Sequence, residues 1–243
     1  MLHAFFASER PLVFAHRGGS ALAPENTIAA FDNGLALGAD GLELDVHLSR
    51  DGVVVVHHDR ALDRTTTLRG PIVARTADEL ARAGVPTLAD VLGRYRDPRV
   101  IIELKVNHPE LAHAVVDVVR RADAVERVCL GSFGLRVLRA ARAIEPAIAS
   151  SGAREEVRWA LYRSWCRWPV RQVAYQGYQV PEWSGSTRVV SPRFVADAHA
   201  AGLGVQVWTV DDEADARRLL ACGVDALITD RPDVIVPLVA RSA

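Results

Sequence analysis

The chain has 243 residues, of which 49% are hydrophobic and 24% charged, with a formal net charge of -1 at pH 7. This length and composition suit one large α/β domain over residues 1–243, and the charge gives no global electrostatic case for binding nucleic acid or an anionic membrane. The three cysteines are widely separated, so neither a disulfide framework nor a zinc motif is indicated. No apolar run reaches the roughly 18 residues of a membrane span. We therefore expect a cytoplasmic protein without an integral membrane segment.

Strand and helix signals alternate along the chain. The first strand, Leu12 to Ala15, ends at His16, and a helix follows from Pro24 to Gly38. The later predicted strands are residues 41–49, 99–106, 128–133, 147–151, 173–181, 205–210 and 226–230. The helices between them start at residue 87 or span 109–122, 135–144, 154–168, 192–201 and 212–222. Eight such units predict a parallel (β/α)8 TIM barrel. A doubly wound sheet is the alternative, but its glycine fingerprint does not follow the first strand.

A hairpin excursion is predicted after the second strand. Asp51-Gly52 is a strong turn signal, and four valines then lead to His57-His58-Asp59. Two residues are too few for a parallel crossover, which needs a dozen or more. We therefore interpret residues 53–59 as an antiparallel arm of the second strand rather than as the next barrel strand.

Two carboxylates stand out within the second strand. Glu43 and Asp45 are two positions apart, so strand alternation places both side chains on one face. Buried carboxylates need a positive partner, and Mg²⁺ and Ca²⁺ prefer oxygen ligands. An ion network with arginines is the alternative. Glu103 on the third strand adds a third carboxylate to the same mouth, which favours a cation.

Other polar residues lie at strand ends, where an active site forms in barrels of this class. Arg17 and Lys105 are suited to a phosphate oxygen, as a planar fork and as a point charge. Gln179 and Trp208 lie near strand ends as pocket-lining candidates, although Trp208 is equally suited to packing. Glu25 is either a site residue or a first-turn residue that favours the helix dipole.

Two histidines are candidates for proton transfer, because imidazole titrates near neutrality. His16 follows the first strand directly and precedes an arginine and two glycines. His57 and His58 point to opposite faces of their arm, so only one of them can face the site.

Several linked motifs resemble the glycerophosphodiester phosphodiesterase family from one end of the chain to the other. They are His-Arg-Gly-Gly at 16–19, Pro-Glu-Asn-Thr at 24–27, Glu-Leu-Asp at 43–45, His-Asp at 58–59, Leu-Asp-Arg-Thr-Thr at 62–66, Glu-Leu-Lys at 103–105, Trp-Thr-Val at 208–210 and Thr-Asp-Arg-Pro at 229–232. The resemblance implies a TIM barrel that releases sn-glycerol 3-phosphate and an alcohol from a small glycerophosphodiester, in lipid and glycerol metabolism. Two departures are a short segment between Arg75 and Pro86 and the lack of a large insertion after His58.

The resemblance also implies roles for site residues. One divalent cation, Mg²⁺ or Ca²⁺, would be held by Glu43, Asp45 and Glu103. The acid/base pair would be His16 and His58. The phosphate would be bound by Arg17 and Lys105. The nucleophile is either water or the glycerol 2-hydroxyl, which would form a cyclic phosphate. A lysophospholipase D or phosphoinositide-type lipase and a non-catalytic binding barrel are the alternatives.

The segment from Trp159 to Trp168 contains three of the five tryptophans among arginines. It is either a patch for weak contact with a membrane surface or a partner, or an outer barrel helix that buries its aromatic face. The second interpretation is favoured here. Either a monomer or a homodimer is compatible with the sequence.

Overall fold

Eight parallel strands and their connecting helices form the architecture of the computed structural model, which describes residues 2–170 and 172–240. The barrel strands are β1 (Leu12–His16), β2 (Gly41–Leu48), β4 (Arg99–Leu104), β5 (Val128–Gly131), β6 (Ala149–Ser150), β7 (Gly177–Pro181), β10 (Gly204–Trp208) and β11 (Ala226–Thr229). Three short antiparallel strands lie outside this set, namely β3 (Val54–Val56), β8 (Trp183–Ser184) and β9 (Thr187–Arg188). The helices are α1 (Ile28–Ala36), α2 (Ala77–Arg82), α3 (Leu88–Arg94), α4 (Pro109–Arg121), α5 (Leu135–Ile144), α6 (Arg154–Trp165), α7 (Pro192–Ala200), α8 (Glu213–Ala221) and α9 (Pro232–Ala240).

The strands close into a barrel. Their order is β6-β5-β4-β2-β1-β11-β10-β7, and a parallel bridge between Ser151 and Gly177 joins the two ends. The predicted TIM barrel is confirmed. Its register brings distant positions together, because His16 lies beside Glu43 and Asp45 lies beside Glu103.

The arm after β2 returns along that strand as β3. Val46, His47 and Leu48 pair antiparallel with Val56, Val55 and Val54. The connecting loop needs a left-handed residue, which Gly52 supplies with φ +77°. This return carries the chain to His57 and His58 at the rim of the barrel.

The end of the barrel opposite the strand carboxyl termini is filled from the N-terminal segment. Phe5 and Phe6 are fully buried, and Phe5 stacks on Phe14 of β1. A Cβ at either Gly177 or Gly204 would lie 2.5 Å from ring atoms of Phe6, so only glycine admits that ring. The apolar patch at the start of the chain is therefore part of the barrel core.

Some element boundaries differ from the predictions. The helix predicted from Pro24 begins at Ile28, because Asn26 adopts a left-handed φ of 58° and Thr27 caps the helix through its hydroxyl. The strand predicted from residue 173 begins at Gly177, where the barrel closes through its single bridge. The elements α2, α9, β8 and β9 were not predicted. The capping box of Thr76 and Glu79 is the sequence signal that identifies α2.

Helix α6 does not bury its aromatic face, so the interpretation favoured from the sequence is wrong. Its buried residues are Ala160, Leu161 and Ser164, whereas Trp159 and Trp165 are exposed. Neither α6 nor any other helix in the described part of the chain is long and apolar enough to cross a membrane.

Candidate active site

A cavity of about 880 Å³ opens at the carboxyl ends of the barrel strands. It is lined by all nine side chains that the sequence indicated as site residues. These are His16, Arg17, Glu43, Asp45, His58, Glu103, Lys105, Gln179 and Trp208. The strand-end rule therefore placed the candidates of the parallel strands in one mouth, and the returning arm adds His58.

The carboxylates of β2 lie buried on the cavity face. Burial, with a further contribution from Asp45, raises the pKa of Glu43 to about 7. The Oε2 atom of Glu43 accepts a hydrogen bond of 3.1 Å from the backbone N–H of Arg17 and lies 3.8 Å from Nε2 of His16. Glu43 therefore has a main-chain donor and a histidine as neighbours rather than a guanidinium.

Asp45 is held differently, by two cationic side chains and an amide. Its oxygens lie 3.1 Å from Nζ of Lys105 and 3.3 Å from Nε of Arg17. Asn26 donates a hydrogen bond of 2.9 Å to the same carboxylate. Burial raises the pKa of Asp45, but Lys105 and Arg17 outweigh burial, so the pKa lies below its ordinary value. Asp45 therefore takes part in the ion network that was the alternative to a metal site.

Glu103 is the third carboxylate of the site, and its side chain is half-buried. Burial raises its pKa to about 8, with contributions in the same direction from Asp45 and Glu43. Its Oε1 atom is buried and has no hydrogen-bond partner among the described residues. Space for this side chain comes from Gly131, where a Cβ would lie 2.7 Å from Oε2 of Glu103.

The donor chemistry of these carboxylates fits a hard divalent cation. Glu103 has an unpartnered oxygen, and burial raises the pKa values of Glu43 and Glu103 despite the positive groups near them. Within residues 2–170 and 172–240, however, no three His, Cys, Asp or Glu side chains are already arranged to hold a metal ion. Side-chain rotation would have to complete such a site.

His16 forms one of two histidine–aspartate pairs in the site. Its Nδ1 atom lies 2.7 Å from Oδ1 of Asp230, which also accepts a hydrogen bond of 2.5 Å from the hydroxyl of Ser20. Burial lowers the pKa of His16, but Glu43 and Asp230 outweigh burial, so the pKa lies above its ordinary value. The aspartate fixes the ring through Nδ1 and leaves Nε2 available to the cavity.

His58 forms the second pair. Its Nδ1 atom lies 2.7 Å from Oδ1 of Asp59, and the other Asp59 oxygen accepts a hydrogen bond of 2.6 Å from Nε of Arg64. Arg64 in turn donates to both oxygens of Glu25, which also accepts from Arg17. The arm after β3 is thereby tied to the loop after β1 on the rim of the cavity.

Two further histidines, His57 and His47, hold this arm through hydrogen bonds. The ring of His57 is buried and bonds to the backbone oxygen of Asp59 and to the hydroxyl of Thr65, both at 2.9 Å. His47 is also buried, with Nε2 at 3.1 Å from the backbone oxygen of His58. Neither ring lines the cavity, so His58 is the member of the adjacent pair that faces it.

The far wall of the cavity is aromatic and amide-rich. Gln179 donates a hydrogen bond of 2.9 Å to Gln206, and Trp208 makes an edge contact with Phe133 at 5.9 Å between centroids. The guanidinium of Arg154 lies over the ring of Phe133, 4.9 Å from its centroid. Trp208 therefore both packs and lines the cavity.

Several residues of the site received no role from the sequence, because their partners are distant in the chain. Asn26 bonds to Asp45, Asp230 bonds to His16, and Arg64 joins Asp59 to Glu25. Glu25 precedes the N-cap of α1, so the interpretation of Glu25 as a helix-dipole residue is wrong. Each of these residues belongs to a motif that carried the family resemblance, which was the one available signal.

A parallel barrel with carboxylates, two histidine–aspartate pairs and two cationic side chains at its mouth is the kind of arrangement found in enzymes that act on anionic substrates. The chain belongs to the glycerophosphoryl diester phosphodiesterase family, whose model matches residues 16–234. It is 31% identical over 250 residues to a glycerophosphodiester phosphodiesterase of Caldanaerobacter subterraneus, covering 96% of this chain and 99% of that relative. The predicted family and the predicted enzyme class are confirmed.

Solved structures give the same result. The glycerophosphodiester phosphodiesterase of Agrobacterium tumefaciens matches with a TM-score of 0.78 and 30% identity, over 93% of this chain and 99% of that one. A phosphodiesterase of Oleispira antarctica, solved in complex with the product sn-glycerol-3-phosphate, matches with a TM-score of 0.77 and 29% identity, over 95% and 97% of the two chains. The fold of the present chain is therefore the fold of these solved phosphodiesterases, in agreement with its family.

Proposed function

We propose that this chain hydrolyses glycerophosphodiesters to sn-glycerol 3-phosphate and an alcohol. The observation that carries the proposal is the convergence of His16, His58, Arg17 and Lys105 on one cavity floored by carboxylates. The product found in the Oleispira antarctica phosphodiesterase supports the same reaction here. In the net reaction, the elements of water are added across the bond between phosphorus and the alcohol oxygen: this bond breaks, hydroxide oxygen is added to phosphorus, and one proton passes to the leaving alcohol.

Arg17 and Lys105 bind the phosphate in this proposal. The Nε of Arg17 lies 3.3 Å from Asp45 without hydrogen-bond geometry, so this buried N–H has no hydrogen-bond partner among the described residues. A buried donor without a partner is costly, and a phosphate oxygen would satisfy it. Lys105 follows β4, which lies two strands away from β1 in the barrel. Its Nζ atom faces Asp45 and adds a positive charge to the phosphate site.

His16 and His58 move the protons. One histidine takes a proton from the nucleophile, and the other gives a proton to the leaving alcohol oxygen. Each ring is fixed through Nδ1 by an aspartate, so each offers Nε2 to the substrate. The nucleophile is either water or the glycerol 2-hydroxyl, and identification of a cyclic phosphate among early products would distinguish the two routes.

Glu43, Asp45 and Glu103 would hold one Mg²⁺ or Ca²⁺. The unpartnered oxygen of Glu103 and the raised pKa values of Glu43 and Glu103 support this assignment. When bound, the ion supplies positive charge that polarises the phosphoryl group. A cytoplasmic location is part of the proposal, supported by Cys166, an exposed free thiol.

A panel of water-soluble glycerophosphodiesters tests the proposal. Release of glycerol 3-phosphate should be lost with a chelator and restored by Mg²⁺ or Ca²⁺. Undiminished hydrolysis by rigorously metal-free protein would refute the metal assignment. Absence of glycerol 3-phosphate from every substrate, with either ion present, would refute the activity itself.

A lysophospholipase D activity is the second candidate, because one wall of the cavity is apolar. Val157, Leu161, Tyr162 and Trp165 line the cavity along α6, where an acyl chain would find hydrophobic contact. A higher kcat/KM for lysophosphatidylcholine than for glycerophosphocholine would favour this candidate. The reverse order would favour the short, soluble substrates.

A further inference from the structure

Four aromatic side chains stand exposed at intervals of three residues on α6 and the turn after it. Trp159, Tyr162, Trp165 and Trp168, here named the α6 patch, are 67%, 48%, 54% and 70% exposed. Adjacent rings touch edge to face, with centroids 6.4 Å and 5.5 Å apart for the first three. A contiguous aromatic surface of this kind marks an interaction site more often than do isolated exposed side chains.

The position of the α6 patch relates it to the active site. One side of α6 lines the cavity along its length, from Arg154 through Leu161 to Trp165. Trp183 of β8 also lines the cavity and is 53% exposed. The helix therefore lies along the rim of the cavity, and whatever covers the α6 patch also faces the mouth.

The charges around the α6 patch are mainly positive. Arg158, Arg163 and Arg167 are exposed, and none pairs with a carboxylate among the described residues. The nearby Glu156 is already occupied by Arg142, at 2.9 Å. The exposed Glu155 offsets part of this charge, but residues 154–168 still contain four arginines against two glutamates. The whole chain is close to neutral, so this excess of positive charge is local.

We propose that the α6 patch docks on the surface of an anionic lipid bilayer and turns the mouth of the cavity towards that surface. Tryptophan and tyrosine favour the boundary between lipid headgroups and acyl chains, and arginine favours anionic headgroups. The combination on one short helix matches an interfacial helix rather than a spanning one. This docking goes beyond hydrolysis, because binding to the bilayer does not depend on turnover.

Vesicle co-sedimentation tests the proposal with phosphatidylcholine vesicles prepared with and without phosphatidylglycerol. The protein should sediment with the phosphatidylglycerol vesicles, and added salt should release it. Trp159→Ala with Trp168→Ala should weaken this binding about tenfold or more, because two interfacial side chains are lost. Arg163→Glu with Arg167→Glu should weaken it by at least about fivefold for each arginine.

The matched control places the same charge change elsewhere. Arg96→Glu with Arg121→Glu alters two exposed arginines after α3 and near the end of α4, at the barrel end opposite the mouth. That variant should bind vesicles nearly as the unmodified protein does. None of the α6 residues changed here lines the cavity, so hydrolysis of a soluble glycerophosphodiester and the melting temperature should stay unchanged and report correct folding.

Three results would overturn the proposal. The first is equal sedimentation with the two kinds of vesicle, and the second is full binding by the doubly substituted tryptophan variant. The third is a dimer in light scattering that Trp159→Ala with Trp168→Ala converts to a monomer, since a second copy would then be the occupant. If the unmodified protein does not hydrolyse soluble substrates, the proposed reaction is refuted, whereas the vesicle result still decides the docking proposal.

Discussion

His16 and Asp230 are 214 positions apart in the sequence, yet Nδ1 of the histidine lies 2.7 Å from Oδ1 of the aspartate. The cause is the parallel pairing of β1 with β11, which places Ala15 beside Thr229. The next residue along each segment is His16 or Asp230, so the two side chains come together at the same end of the barrel. The pairing of the first barrel strand with the last therefore creates this pair.

Asp230→Asn tests whether this aspartate is a positioning residue. The substitution removes the charge that orients His16, so we expect kcat to fall on the order of 10²-fold with little change in KM. Ser20→Ala is the matched control, because it removes the other donor to Asp230 and leaves the pair intact. A raised KM with an unchanged kcat would instead indicate that Asp230 contributes to substrate binding.

The two adjacent histidines allow a second test. His16→Ala and His58→Ala should each lower kcat by about 10²–10⁴-fold if, as we propose, each histidine transfers a proton. His57→Ala should change kcat little but lower the free energy of unfolding by about 1–3 kcal/mol, since it leaves Thr65 and a backbone oxygen without their partner. Steady-state kinetics and chemical denaturation of the folded variants measure both effects. An inactive His57 variant beside an active His58 variant would contradict the assignment.

Glu103→Gln separates metal binding from folding. A neutral amide costs less to bury than a carboxylate, so the melting temperature of the metal-free protein should stay equal or rise. The increase in melting temperature on adding Mg²⁺ or Ca²⁺ should disappear with the ligand. Glu110→Gln, at an exposed position on α4, should retain that increase. A Glu103 variant that is still stabilised by metal would exclude this residue as a ligand.

Gly131→Ala examines the space that β5 leaves for the site. The added Cβ would lie 2.6 Å from Oε1 of Gln179 and 2.7 Å from Oε2 of Glu103, so Glu103 must move. We expect kcat/KM to fall on the order of 10²-fold, the typical cost of misplacing a site group by about 1 Å. Gly93→Ala on α3 meets no atom within 4 Å and should stabilise the protein by about 0.5–1 kcal/mol. Equal activity of the two variants would contradict the expectation.

The sequence by itself determined the features that depend on local backbone geometry. Alternation along β2 placed Glu43 and Asp45 on one face, and alternation along the returning arm separated His57 from His58. Counting strand and helix units predicted the barrel, and the rule for strand ends then assigned the candidate residues to one mouth. These properties follow from the period of the chain and need no knowledge of distant contacts.

Only the tertiary structure decided which groups meet. The partners of His16, Asp45 and Asp59 come from other strands and loops, and their distances depend on barrel closure and on the left-handed backbone at Asn26. The outward face of α6 was likewise undetermined by its sequence, because packing on the barrel selects which side of a helix is buried. Periodicity describes a single element, whereas burial and hydrogen bonding are properties of the elements around it.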